Sequence, residues 1–175
     1  MLYDGSQLRS HFIFDATGMI GDACVAFIGE CDVAFEHMVD LVDKKAKCAI
    51  FSNSTLHFII EHFGGTLEEA VLRQRLFVSI MADILRWKGA IGVERRGNDI
   101  YDGPAKLNVS IATASIVSTL IHVGINILSE GTPVKTKGLK DYRISPKKFA
   151  EEVMKKYKEE CEGMAEARCK VRGVG

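Results

Sequence analysis

A T-x-x-E box at Thr66 and Glu69 opens a helix-favouring run that continues to Lys88. In such a box each side chain satisfies the other residue's backbone N–H, which marks a helix start from local chemistry alone. Phe77, Ile80, Met81, Ile84 and Leu85 recur at helical spacing and form one apolar stripe, and Gly89 supplies a stop. Arg73 lies near the start of that stripe, four residues before Phe77, whereas Arg75 lies on the other side with Ser79 and Arg86.

The flanking runs supply the sheet. HFIF, ACVAFIG, CAIFS and LHFIIEHF before the helix are rich in aromatic and β-branched residues and predict strands. DVAFEHMVDLVDKK predicts a short helix followed by a charged loop. After the helix, GVERR, KLNVSIATAS and STLIHVGINI predict three further strands, with a turn at Asp102-Gly103-Pro104. KLNVSIATA alternates, placing Leu107, Val109 and Ile111 on one side and Asn108, Ser110 and Ala112 on the other. Ser145-Pro146 opens a last helix with Phe149, Val153, Tyr157, Cys161 and Met164 as its stripe. Consecutive strands joined by turns, with helices set apart, predict an α+β fold whose sheet is mostly antiparallel with packed helices.

A chain of 175 residues fits one domain, residues 1–175, with a core of its own. A hydrophobic content of 47% beside 26% charged residues describes a globular chain rather than a disordered one. The formal net charge is zero, so broad electrostatic capture of nucleic acid is not expected. The cysteines, Cys24, Cys31, Cys48, Cys161 and Cys169, are odd in number and form no C-x-x-C pair, which speaks against a disulfide framework or a zinc knuckle. No apolar run approaches a membrane span, and MLYDGSQLRS lacks the order of a signal peptide, so a cytoplasmic protein is expected. Open sheet edges make a homo-oligomer the expected assembly.

The stretch from LFVSIMADILRWKGAIGVERRGNDIYDGPAKLNVSIATAS to LIHVGINI carries three motifs in order: Asn98-Asp99-Ile100, Lys106-Leu107 and Gly124-Ile125-Asn126. In this order, on a helix and the strands after it, they resemble the catalytic core of biotin protein ligases and lipoate–protein ligases. The resemblance covers residues 66–127 and extends into 48–65, where IFSNSTLHFII stands in place of a strand pair. The whole chain also resembles an archaeal family of small proteins of unestablished function. The resemblance implies the class II aminoacyl-tRNA synthetase and biotin–lipoate ligase type of fold.

It also implies a chemistry. Such ligases join a small carboxylic acid to ATP as an acyl-adenylate and pass the acyl group to a lysine of a carrier protein. Negative charge builds near the carboxylate and the α-phosphate, and one well-placed donor there is worth roughly 3 kcal/mol. Lys106 matches the lysine of that role, with Asp99 and Asn98 as its catalytic companions. Ser110, Gly124 and Asn126 fall on the substrate side, and Arg73 and Arg75 are the cations available for phosphate. ATP and Mg²⁺ would be the cofactors, the metal held through phosphates and water rather than by a protein cage.

The chain also departs from that pattern. Where the ligases carry a glycine- and arginine-rich loop, GECDVAFEHMVDLVDKKAKCAIFS has one glycine, Gly29, no arginine, and the acids Glu30, Asp32, Glu36, Asp40 and Asp43. Such a segment repels phosphate unless a cation intervenes. Three readings stay open: ligation through an acyl-adenylate, acyl transfer without ATP using Lys106 and a thiol, and a binding module or oligomeric structural domain without chemistry. Asn-Asp and Asp-Gly are also ordinary turn residues. Asp4 and Arg9 could close over a site. His122 alternates with Ile121 and Val123 and faces away from them, and the odd spacing of His57 and His62 sends them to opposite faces of a strand.

Overall fold

The computed structural model describes residues 1–46, 50–129 and 135–174. The chain runs α1 (Phe12–Thr17), β1 (Ala23–Val33), α2 (Leu41–Ala46), β2 (Ile50–Phe63), α3 (Leu67–Trp87), β3 (Val93–Arg96), β4 (Asp99–Asp102), β5 (Ala105–Lys106), β6 (Asn108–Ala114), β7 (Ser118–Asn126) and α4 (Pro146–Cys169). A four-stranded antiparallel sheet has the order β1-β2-β7-β6, and a small antiparallel sheet has the order β3-β4-β5. The expected α+β architecture with an antiparallel sheet and packed helices is what is observed.

Period-2 alternation assigns the two faces of the large sheet. Leu56, Phe58 and Ile60 of β2 and Ile121, Val123 and Ile125 of β7 face α3 and α4, where they meet Phe77, Val78, Met81, Phe149 and Val153 in one core. The opposite face carries His57, Ile59, Glu61 and His122. It is covered at one end by Tyr3 and Ile13, which pack with Cys31 and Ile59, and is left open beside β6. The capping box at Thr66 and Glu69 is formed in both directions, and Gly89 stops the helix with a left-handed φ of 97°.

Two local expectations fail for tertiary reasons. HFIF forms the start of α1, not a strand. His11 takes a left-handed φ of 64°, and its N–H donates to both Glu61 carboxylate oxygens at 3.0 and 3.1 Å, which turns the chain just before Phe12. CAIFS and LHFIIEHF do not form a strand pair. From Ile50 onward they are one strand, β2, while Cys48 lies outside the described residues. The polar Ser52-Asn53-Ser54 does not break it, because a bulge between Gly29 and Cys31 lets β1 pair on both sides of that stretch.

DVAFEHMVDLVDKK divides into the end of β1, a 3-10 turn at Phe35–His37 and α2. Asp99–Asp102 forms a strand of its own, β4, beyond the three expected after the long helix.

Candidate functional site

Two tight turns bring the three motifs together. Gly97 (φ 64°) closes the β3–β4 turn and Gly103 (φ 57°) the β4–β5 turn, both in the left-handed region where glycine carries little cost. In the β4–β5 register Tyr101 pairs with Lys106, so Asp99 and Lys106 share a face one diagonal step apart. Lys106 Nζ lies 2.8 Å from Asp99 Oδ2. The lysine backbone is held as well: its N–H donates to Lys135 O at 3.0 Å, and its carbonyl accepts from Lys137 N–H at 3.2 Å.

The Asn-Asp turn is anchored by β6 and α3. Asn108 Oδ1 accepts the buried Ile100 N–H at 2.6 Å, and Ser110 Oγ donates to Asn98 O at 2.7 Å. Gln74, buried on α3, donates to Ser110 Oγ at 2.8 Å. Arg75 Nε donates to Asn98 Oδ1 at 3.1 Å on the exposed side. The polar side of β6 therefore faces the helix, and the apolar Val109 and Ile111 face an open cleft.

That cleft has a volume of about 220 Å³. Asn98, Asp99, Lys106 and Ser110 stand at one end, Val109, Ile111 and His122 form the floor, and Tyr3, Leu8, Met38, Asp40 and Asp43 come from the N-terminal segment and the β1–β2 connection. Gly124 lies under the floor, where an added Cβ would come within 3.1 Å of Thr55 Cγ2 and 3.4 Å of His122 Cε1 and Val109 Cγ2. Asn126 ends β7 opposite Thr55, and its N–H donates to Leu107 O at 2.9 Å. Arg73 is directed elsewhere, 4.0 Å from Asp22 Oδ2, beside the pair His62 and Tyr157. His62 is on the face opposite His57, as the odd spacing requires. Asp4 and Arg9 do not line the cleft among the described residues: Asp4 caps Ser6 and Arg9 pairs with Asp15.

The electrostatics of the cleft are acidic. Asp40, Asp43 and Asp99 surround Lys106 as the only lysine or arginine among the described lining residues. Burial pushes the Asp99 carboxyl above the usual carboxylate range; Lys106 opposes this, and the charge of Asp43 reinforces it. Among the described residues no three His, Cys, Asp or Glu side chains are grouped to hold a metal. One ammonium fits a carboxylate. These residues do not fit a triphosphate, since the arginines that could add charge face other partners.

The chain matches the family described as Domain of unknown function (DUF366) over residues 1–172. It belongs to that family. It is 36% identical over 148 residues to an uncharacterized protein of Methanocaldococcus jannaschii, a match covering 81% of this chain and 66% of that relative, slightly less than two thirds of its length. A solved protein of unknown function from Pyrococcus horikoshi superposes with a TM-score of 0.95 at 38% identity, over 100% of this chain and 94% of the other. A putative lipoate protein ligase from T. acidophilum with bound lipoic acid gives a TM-score of 0.58 at 13% identity, over 83% and 76% of the two chains. The biotin protein ligase from Aquifex aeolicus in complex with biotin and ATP gives 0.59 at 10% identity, over 90% and 66%. The fold is that of the biotin and lipoate ligase catalytic domains.

The sequence reading brought Asn98, Asp99, Lys106 and Ser110 to one place but missed Gln74, Asn108, Tyr3 and Met38. Asn108 had a local signal, an amide inside an alternating strand. The other three reach the site only through tertiary packing. No helix among the described residues is long and apolar enough to cross a membrane.

Proposed function

We propose that this chain binds a small carboxylic acid with an apolar body in the Lys106 cleft. The observation that carries the reading is the Lys106–Asp99 pair, 2.8 Å apart, at the polar end of a cleft floored by Val109 and Ile111. The acid's carboxylate lies against Lys106 and displaces part of its contact with Asp99. Its apolar body lies along Val109, Ile111 and Met38. The likeness in fold to proteins solved with lipoic acid or with biotin supports an acid of that general kind.

Adenylate formation, and transfer of the acyl group to a carrier protein, is the second reading. The lipoate and biotin ligases solved with ATP favour it. In this cleft it requires Mg²⁺ to come with the nucleotide, because Asp40 and Asp43 repel bare phosphate.

Calorimetric titration of octanoate, lipoate and biotin, on the wild type and on Lys106→Ala, tests the first reading. One acid binds, and the variant binds it at least ~10-fold more weakly, a loss of about 1.4 kcal/mol. No binding of any of these acids, or equal binding by the variant, overturns it. Pyrophosphate exchange with ATP, Mg²⁺ and the bound acid then separates the two readings: exchange supports the ligase, and binding without exchange supports the binding module.

A further inference from the structure

Glu61 is a carboxylate buried without a counter-charge. It stands on the face of β2 that α1 covers and is 2% exposed. The His11 N–H donates to both of its oxygens at 3.0 and 3.1 Å, and Ser118 Oγ–H donates to Oε1 at 2.6 Å. Both donors are neutral. Glu61 takes part in no ion pair among the described residues. Neutral donors orient such a carboxylate, but a buried charge stays costly until an opposite charge joins it.

That carboxylate borders a cavity. A space of about 390 Å³ opens between α1, the turn that follows it and the end of β2, walled by Ile13, Phe14, Met19, Ile20 and Phe63 together with His11 and Glu61. The oxygens of Glu61 stand at this wall, and not its stem alone, because both are bonded to the backbone of His11, itself part of the wall. Oε2 accepts only the His11 N–H, so it keeps a lone pair for a further donor. No lysine or arginine is among the described lining residues. The rest of the wall is apolar and uncovered: Ile20 is 90% exposed, Phe14 46%, Met19 44% and Phe63 40%. Large apolar side chains gathered around one opening mark a binding surface. None of these residues lines the Lys106 cleft.

The chemistry of the wall selects the occupant. Glu61 repels an anion, and a neutral apolar molecule leaves its charge uncompensated. A primary alkylammonium meets both demands. Its N–H groups make charge-assisted bonds to the carboxylate, its alkyl stem lies against Ile13, Met19 and Ile20, and its positive charge is attracted to the rings of Phe14 and Phe63. We propose that this cavity is a second binding site, for a primary alkylammonium group borne by a free amine or by a lysine side chain of a partner protein.

Methyl NMR of protein labelled at methionine and isoleucine tests it. The wild type is titrated with hexylammonium and, separately, with hexanol, which has the same alkyl chain without the charge. Hexylammonium is expected to shift the Met19 and Ile20 methyl signals saturably and to bind at least ~10-fold more tightly than hexanol. In Glu61→Gln the two are expected to bind within about 2-fold of each other. Glutamine keeps an oxygen for the His11 N–H, and the wild-type comparison stands even where the variant fails to fold. Equal wild-type affinities, no saturable shift, a folded Glu61→Gln that keeps the preference, or shifts at Met38 of the Lys106 cleft in place of Met19 each overturn the inference. Nα-acetyl-lysine methylamide separates the sources: binding tighter than that of hexylammonium assigns the site to a protein lysine, and weaker binding assigns it to a free amine.

Discussion

The Gln74 amide donates to the Ser110 hydroxyl at 2.8 Å, and that hydroxyl donates in turn to Asn98 O at 2.7 Å. A helix, a sheet strand and a turn are thereby joined by one relay, and the turn is the one that positions Asp99 toward Lys106. Gln74 is 1% exposed, so solvent cannot replace what it provides. Gln74→Ala is expected to lower unfolding free energy by about 1–3 kcal/mol. It is also expected to weaken acid binding while Lys106 is intact. Urea unfolding and calorimetry check the pair of effects; a stability loss with unchanged affinity would show that the relay does not position the turn.

Gly124 is the second sensitive point. An alanine there meets Thr55 Cγ2 at 3.1 Å, tighter than ordinary contact, and touches His122 Cε1 and Val109 Cγ2 at 3.4 Å. Overpacking of this kind costs about 1–3 kcal/mol. The Thr55 methyl is the neighbour that must give, so its methyl signal is expected to shift along with the urea midpoint. An unchanged Thr55 methyl signal would mean that the strand backbone moves instead of the side chain.

The two buried imidazoles predict an acid-sensitive fold. Burial holds the His57 imidazole at about 4 against its ordinary 6.5, and holds His122 well below its ordinary value, helped by the proximity of His57. The unfolded chain takes up a proton below pH 6.5 that the folded His57 refuses, so the stability present above pH 6.5 is lost as pH falls toward 4. For His57 the full loss is about 3 kcal/mol. Carboxylates titrate in the same range, so the informative quantity is the difference between wild type and His57→Gln. That difference is expected to change between pH 7 and pH 4.5, and a flat difference would remove the histidine from the explanation.

Asp43 contributes negative charge to the cleft and helps raise the Asp99 carboxyl. Asp43→Asn is expected to tighten binding of the acid by roughly 3-fold at low salt, with the gain shrinking as salt is added. Titration at two ionic strengths reads this. Weaker binding in the variant would mean that Asp43 contacts a cationic part of the ligand.

Much of the scaffold was legible in local chemistry. Thr66 and Glu69 mark the start of α3 because a capping box is a contact between residues three apart. Pro146 marks the start of α4 because proline suits the first helical turn. Val109 and Ile111 alternate with Asn108 and Ser110 because a strand has period 2, so their separation into two faces was readable. Which face would be buried was not. Asn108 and Ser110 turn inward because Ile100 N–H, Asn98 O and Gln74 wait there, and none of these partners is visible from the strand's own pattern. HFIF is apolar enough for a strand, yet the Glu61 carboxylate, 50 residues from His11, turns it into a helix.

The sequence by itself determined the starts of α3 and α4, the Asp102-Gly103 turn before Lys106 and the alternation of β6, because caps, turns and strand periodicity act over a few residues. Tertiary structure alone decided that His57 meets His122 across 65 residues of chain, and that Asp40 and Asp43 enter the cleft beside Lys106. Those contacts depend on which strands pair and which faces are covered, and that choice belongs to the burial of the whole core rather than to any local segment.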